Sequence, residues 1–279
     1  MVTSAIDVRV LKAAADLKLI QKLEQEIWNM PPLPIHQTIT AVQNGGLLLG
    51  AFYDNELIGF NYGFAGFDKG KSYLCSHMLG IHPDHRDKGL GALLKQKQKE
   101  SASEMGYDLI TWTFDPLESR NAYLNLSKLH AICSIYVENC YGDMEDSLNQ
   151  GLPTDRFKVE WWINSAHVNE SWKGEAESPQ NPFKWAVSDD SFPVLLSTGW
   201  KGARNPVLVP IPANFQTIKS QNYELARDWR YKTREIFQTL FSQGYALVDF
   251  IKGKEGLVHY YVLVQRHELQ LKQKRWEQI

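Results

Sequence analysis

The sequence predicts a mixed α/β fold of the α+β type, a mostly antiparallel sheet with flanking helices, followed by a smaller C-terminal α/β unit. Three observations carry this. Strand-like runs at 47–54, 56–67 and 72–81 follow one another with only short turns between them, so the middle of the sheet is antiparallel. A helical stretch at 90–106 then stands between two strand-like runs, 72–81 and 107–114, and a helical crossover makes such strands parallel. Beyond a polar, proline-containing stretch at 164–185, strand, helix and strand return.

The elements follow in order. "IDVRVL" (6–11) alternates as a half-buried strand does, and Leu17, Ile20, Leu23, Glu24 and Ile27 then fall at helical spacings of three and four up to Trp28. "NMPPLP" (29–34) breaks that helix, and a second, short helical segment leads to Gly45 and Gly46. "LLLGAFYD" and "ELIGFNYGFAGF" meet at Asn55 as a hairpin, and "SYLCSHMLGI" (72–81) adds the third strand of a meander. After a polar loop, "LGALLKQKQKESASEMG" (90–106) reads as a helix with an apolar start, a charged outer face and a terminal glycine. "YDLITWTF" (107–114) is a strand, a helical stretch is expected from about Glu118 to Cys133, and "RFKVEWWI" (156–163) is a further strand. The domain organisation expected is 1–165, an irregular linker at 166–199, and a C-terminal α/β unit at 200–279.

Composition narrows the function classes. With 43% hydrophobic and 22% charged residues the chain buries a core and is not disordered, and a formal net charge of -2 gives no bulk attraction to nucleic acid or an anionic membrane. Neither is expected as a partner. The cysteines Cys75, Cys133 and Cys140 show no zinc spacing and are read as reduced thiols, and no metal is expected. The first residues lack a signal-peptide pattern and no run of eighteen apolar residues occurs, so the expectation is a cytoplasmic protein.

The polar loop is "GIHPDHRDKGLGALL" (80–94). A strand that ends at Ile81 and hands over to a helix beginning near Gly89 leaves the first helical N–H groups without partners, at the positive end of the helix dipole. Gly89 and Gly91 permit close approach of a ligand to the backbone, and Arg86 and Lys88 add positive charge, which suits a phosphate or pyrophosphate. The alternative is a glycine-rich helix start with solvated charges. The loop matches neither GxxxxGK[ST] nor GxGxxG.

"IHPDHRDKGLG" resembles the acetyl-CoA-binding loop of the GNAT superfamily of N-acetyltransferases, with Arg86, Gly89 and Gly91 meeting its Arg/Gln-x-x-Gly-x-Gly/Ala pattern. The order of elements over roughly 5–163 is similar as well. "TWTFDPLESRNAYLNLSKL" and "LPTDRFKVEWWI" resemble a poorly characterised GNAT-like group with an extra C-terminal region. The resemblance implies acetyl-CoA as cosubstrate, with no metal. The backbone of Arg86, Asp87, Lys88, Gly89, Leu90, Gly91 and Ala92 would surround the pyrophosphate, and pantetheine would lie against Leu79 and Ile81, where the strand splays from 107–114.

Acyl transfer to an amine needs a base, because the free amine is the nucleophile. In many GNAT enzymes a Glu four residues ahead of the position of Ile81 serves; here that residue is His77, whose imidazole suits the task, the alternative being a hydrogen-bonded structural histidine. Leu126 stands where the resemblance leads one to expect the tyrosine that protonates the thiolate, which leaves water, Tyr123, Tyr136 or Tyr141 as the acid. "FDPLESRNA" (114–122) offers Asp115 and Glu118 for an acceptor and Asn121 for the coenzyme, or else an Asp-Pro turn with Ser119 as a helix cap. Asp155 and Arg156 are read either as an acceptor-site pair or, more safely, as an ion pair that starts a strand.

The C-terminal run of strand, helix and strand at 207–251 echoes 78–114 without the Gly-x-Gly loop, as a degenerate half-repeat or a coincidental unit. The expected activity is transfer of acetyl from acetyl-CoA to a small-molecule or peptide amine, and a homodimer is compatible with it. The alternatives are a non-catalytic acyl-CoA-binding or sensing protein and a longer acyl chain.

Overall fold

The computed structural model describes residues 6–142, 151–170, 181–200, 202 and 206–271. The chain forms two compact units, Met1–Trp112 with Trp162–Asn164, and Thr113–Trp161 with Ser165–Ile279. The change of unit therefore falls inside a strand near residue 112, whereas sequence placed it near 165. Of the expected linker, 171–180 lies outside the described residues.

In the first unit β1 (Asp7–Val10), α1 (Ala14–Trp28), α2 (Ile35–Gln43), β2 (Leu47–Tyr53), β3 (Glu56–Asp68), β4 (Lys71–Ile81), α3 (Leu90–Glu104) and β5 (Leu109–Phe114) follow in turn. The strands lie in the order β1-β2-β3-β4-β5, antiparallel through β4. The β4 and β5 strands are parallel and pair at Leu74–Ile110 and Cys75–Thr111, as the helical crossover requires. On one face Leu17, Ile20 and Leu23 of α1 pack with Leu48, Phe52, Phe60 and Tyr62. The spacing of those helical residues puts them on one stripe, and burying each such side chain contributes about 1.5–3 kcal/mol.

Against the other face lies α3. Gly59 makes the approach close: a Cβ there would stand 3.2 Å from Leu90 Cδ2 and from the Gly80 carbonyl oxygen. Leu90, Leu94 and Ala102 are buried, and Lys95 and Gln98 are buried with them. The charged outer face expected of this helix therefore excludes Lys95, which lies on the inner stripe.

The second unit contains α4 (Ser119–Ala122), β6 (Ile132–Val137), β7 (Arg156–Trp162), α5 (Ala166–Asn169), β8 (Trp185–Val187), β9 (Pro193–Leu195), β10 (Val207–Pro212), α6 (Phe215–Gln221), α7 (Tyr223–Ser242), β11 (Tyr245–Lys252) and β12 (Val258–Gln265). The helix expected from Glu118 to Cys133 is shorter. It continues from α4 as a π-helical turn, Tyr123–Lys128, and ends before β6, a strand whose first two residues, Ile132 and Cys133, the expected helix took in. The β6 strand is antiparallel to β7 and to β11. β12 lies between β11 and β10, antiparallel to both. The two strands that flank α6 and α7 are thus not neighbours, unlike β4 and β5, and the echo between the two halves of the chain stops at the order of elements.

The α7 helix buries Trp229, Ile236, Phe237 and Leu240. Phe157 receives Phe114, Tyr136, Phe237 and Tyr261 edge to face at 4.8–5.6 Å, the geometry that aromatic quadrupoles favour. The Asp155 carboxylate accepts from Arg234 Nε and Nη2 at 2.9 and 2.7 Å and from Tyr136 Oη at 2.6 Å, and Arg156 Nη1 donates to the Asp155 backbone carbonyl at 3.0 Å. Among the described residues no helix is long and apolar enough to cross a membrane.

Candidate functional site

The loop between β4 and α3 is a short 3-10 turn, Pro83–His85, followed by an exposed stretch from Arg86 to Gly89. The turn is capped by His82, whose Nδ1 accepts from Asp84 N at 3.3 Å. Arg86 Nε donates to the Ile81 carbonyl at 3.3 Å and Lys88 Nζ to the Asp84 carbonyl at 2.9 Å, so both cations fold back on the loop they belong to. Asp87 and Gly89 have φ of 63° and 79°. Left-handed residues on either side of Lys88 turn the chain in the manner of the concave backbone nests that hold anions.

Gly89 is the N-cap of α3, and no atom lies within 4 Å of the place a Cβ would take. Glycine is required there by the backbone angle, and the place beside the helix start that a Cβ would take is open. Those groups, at Leu90, Gly91 and Ala92, precede the first residue with an acceptor one turn back, Leu93, whose N–H donates to the Gly89 carbonyl at 3.1 Å. Three donors at a dipole end, an open approach and two nearby cations fit a phosphate group.

Upstream, β4 carries one residue more than its partner. Tyr62 of β3 stands opposite Met78 and Gly63 opposite Ser76, so His77 is the bulged residue. A bulge re-aims side chains. His77 is exposed and edge-on to the rings of Tyr62 and Phe64 at 6.2 and 5.7 Å. The protein around the ring desolvates it enough to lower its pKa below the usual histidine value, which keeps the imidazole neutral and able to accept a proton. Leu79 and Ile81 follow on the same strand, half-buried, opposite Asn61 and Gly59 of β3.

The first unit therefore gathers His77, Leu79, Ile81 and the residues from Arg86 to Ala92 on one strand, loop and helix start. Asp115, Glu118 and Asn121 belong to the second unit. There Asp115 accepts from Arg230 Nη1 at 2.9 Å, Arg230 Nη2 at 2.5 Å and Leu117 N at 2.8 Å, with Arg156 Nη1 3.6 Å away. Both its oxygens are engaged, which gives this carboxylate a structural occupation in place of the acceptor contact expected for it. Glu118 accepts from Gln216 Nε2 at 2.5 Å, and burial raises its pKa. Ser119 does not cap its helix; its hydroxyl donates to the Pro212 carbonyl at 3.0 Å. Asn121 is exposed.

The candidate acids are similarly placed. Leu126 is buried. Tyr136 is bound to Asp155, and burial with that carboxylate raises its pKa. Tyr141 shares a 2.8 Å hydrogen bond with Thr113 Oγ1, and Tyr123 lies under the ammonium groups of Lys128 and Lys252. Among the described residues no group of three or more His, Cys, Asp or Glu is arranged to hold a metal ion.

Sequence reasoning missed Lys95. Its Nζ donates to Ser76 Oγ at 2.8 Å and Gln98 Oε1 at 3.3 Å and sits 3.6 Å from the centroid of the Trp112 ring. Within "KQKQKE" it reads as one of several solvated cations, yet the spacing 94, 95, 98 and 102 puts it on the inner stripe, a signal present in the sequence.

Residues 15–125 match the family model described as the acetyltransferase (GNAT) family. No curated protein matches the chain in sequence. Among solved structures, the ribosomal-protein-S18-alanine N-acetyltransferase from Escherichia coli is similar at 14% identity and a TM-score of 0.47, over 57% of this chain and 94% of that one. An N-acetyltransferase from Staphylococcus aureus is similar at 17% and 0.45, over 57% and 99%. A GNAT family acetyltransferase from Elizabethkingia anophelis, solved with acetyl-CoA bound, is similar at 18% and 0.42, over 56% and 97%.

Proposed function

We infer, for a chain that belongs to the GNAT superfamily through residues 15–125, transfer of an acetyl group from acetyl-CoA to an amine. The observation that carries this reading is the start of α3, where left-handed Gly89 leaves an open approach to the first N–H groups of the helix beside Arg86 and Lys88. In this reading the N–H groups of Leu90, Gly91 and Ala92 donate to the pyrophosphate, and the loop cations offset its charge. Contacts of that charge-assisted kind contribute about 1.5–3 kcal/mol each. Leu79 and Ile81 line the path of pantetheine along β4.

His77 takes the proton from the acceptor, directly or through water. A neutral imidazole is the form required, and lowering its pKa enlarges the neutral fraction at neutral pH. The acceptor class is a small-molecule or peptide amine. Coenzyme A release in the presence of a panel of such amines tests the reading, alongside calorimetry with acetyl-CoA. Binding with release supports it, and absence of binding sinks it.

Buried Leu126, where the resemblance leads one to expect a tyrosine, favours a second reading, an acyl-CoA-binding protein without turnover. Affinity for acetyl-CoA with no release across the panel supports that one.

A further inference from the structure

Lys95 is 3% exposed, and none of the partners of its Nζ, Ser76, Gln98 and the Trp112 ring, is a carboxylate. An ammonium buried without a counter-ion lowers stability, and a methionine of similar length fills such a site without that penalty. Burial brings the Lys95 pKa down to about 7, and the titratable group acting on it in the opposite sense is the Cys75 thiol of β4. The group thus exchanges a proton near neutral pH.

Its position gives that exchange a use. The β4 and β5 strands pair at Leu74–Ile110 and Cys75–Thr111, and Ser76 and Trp112 are the next residue on each. Lys95 reaches both from α3, so it stands behind the inner end of the β4 segment that runs out to Ile81 and the loop. At about 3.3 Å per residue, Ser76 lies about 16 Å along the strand from Ile81. An extended pantetheine arm is of comparable length, so a coenzyme whose pyrophosphate sits at the start of α3 and whose arm follows β4 ends with its sulfur at Ser76.

Resting on the coenzyme reading above, we propose that Ser76 and Lys95 form a proton relay to the sulfur of coenzyme A. The acceptor nitrogen bonds to the thioester carbonyl carbon, the carbon–sulfur bond breaks, and its electron pair stays on sulfur. The Ser76 hydroxyl gives its proton to that sulfur while the Lys95 ammonium gives one to Ser76 Oγ, leaving a neutral amine. The proton shed by the acceptor nitrogen leaves through His77, and Lys95 regains its own from solvent between turnovers. Lys95 here acts through Ser76, whose oxygen already accepts from Nζ at 2.8 Å and whose own hydrogen is thereby directed elsewhere.

The test follows the thiolate absorbance of coenzyme A bound to the full chain, with the desulfo-coenzyme A complex as blank. In the wild type the bound thiol and Lys95 titrate as a coupled pair that shares a proton through Ser76, so thiolate absorbance begins to appear near neutral pH, below the titration of free coenzyme A. In Lys95→Met and in Ser76→Ala the titration returns to the free value, while desulfo-coenzyme A binds both variants within about twofold of wild type. Ser76→Ala, the loss of one oxygen, reads the relay with Lys95 left in place. A wild-type bound thiol that titrates with the free one, or a shift that persists in Ser76→Ala, overturns the relay and leaves the coenzyme reading standing. Failure of both coenzymes to bind the wild type overturns that reading and the relay together.

Discussion

The guanidinium of Arg230 meets the carboxylate of Asp115 at two points, Nη1 to Oδ1 at 2.9 Å and Nη2 to Oδ2 at 2.5 Å, with side chains 2% and 12% exposed. Tyr261 Oη adds a 2.8 Å bond to the carbonyl of neighbouring Pro116. Together these fix the segment after β5 to α7 and β12 inside the second unit. Arg suits the place because its planar fork matches a carboxylate at two atoms and remains charged when buried.

Breaking that pair leaves a buried charge alone. Asp115→Asn is expected to lower the stability of the chain by about 3–5 kcal/mol in urea unfolding. The double variant Asp115→Asn with Arg230→Met recovers a large part of the loss, because the uncompensated charge is gone. Additive losses in the two single variants and the double would show that the two side chains are not coupled.

Lys95 makes stability depend on pH in a defined direction. Its pKa falls from 10.5 to about 7 on folding, so the unfolded chain binds more protons between those values. Stability is therefore lowest below about pH 7 and recovers as pH rises toward the unfolded pKa. Lys95→Met is expected to stabilise the protein most near pH 6, by up to about 5 kcal/mol, and to lose that advantage near pH 10. A pH-independent gain in thermal unfolding would place the effect in packing instead.

Gly89→Glu puts a carboxylate into the open space before α3. Nothing stands within 4 Å to clash with it, so the cost to folding is the left-handed backbone alone, about 1–2 kcal/mol. Coenzyme A affinity is expected to fall at least about a hundredfold, through loss of charge-assisted contacts and the added repulsion. Calorimetry checks this, and an unchanged dissociation constant removes the loop from the site.

With any amine that supports turnover, His77→Ala is expected to lower kcat by about 10²- to 10⁴-fold while acetyl-CoA affinity holds. Because the protein around the ring desolvates it and lowers the His77 pKa, the acid limb of the wild-type pH–rate profile lies below about pH 6.5, the ordinary histidine value. Wild-type rates in the variant would return His77 to packing against Tyr62 and Phe64.

The meander, the crossover and the loop were legible because each rests on local chemistry: strand-like runs within 47–81 separated by short turns, a helix start after Gly89, and a turn residue at Asn55. The elements that went unread depend on distant partners. Ile132–Val137 becomes a strand because β7 and β11 lie on either side of it, and no short window of "LHAICSIYV" contains them. Asp115 looked available because Arg230 is 115 residues away in sequence. Lys95 was hidden by residue type, since a lysine in a run of lysines and glutamines reads as solvated whatever stripe it occupies.

The extra residue at His77 acts on β4 as a phase shift. Before it, Ser76 shares a side of the strand with Leu74 toward α3; after it, Leu79 takes over that side while Met78 joins the cluster around α1. Removing His77 would restore strict alternation and an unbroken pairing of Tyr62 with Met78 and Gly63 with Ser76, with each half of the strand keeping the side it has now. A one-residue deletion there thus takes away the imidazole and the local bend alone, whereas drawing His77 into the ladder in register would part Ser76 from Lys95 or Ile81 from the loop without altering any of those side chains.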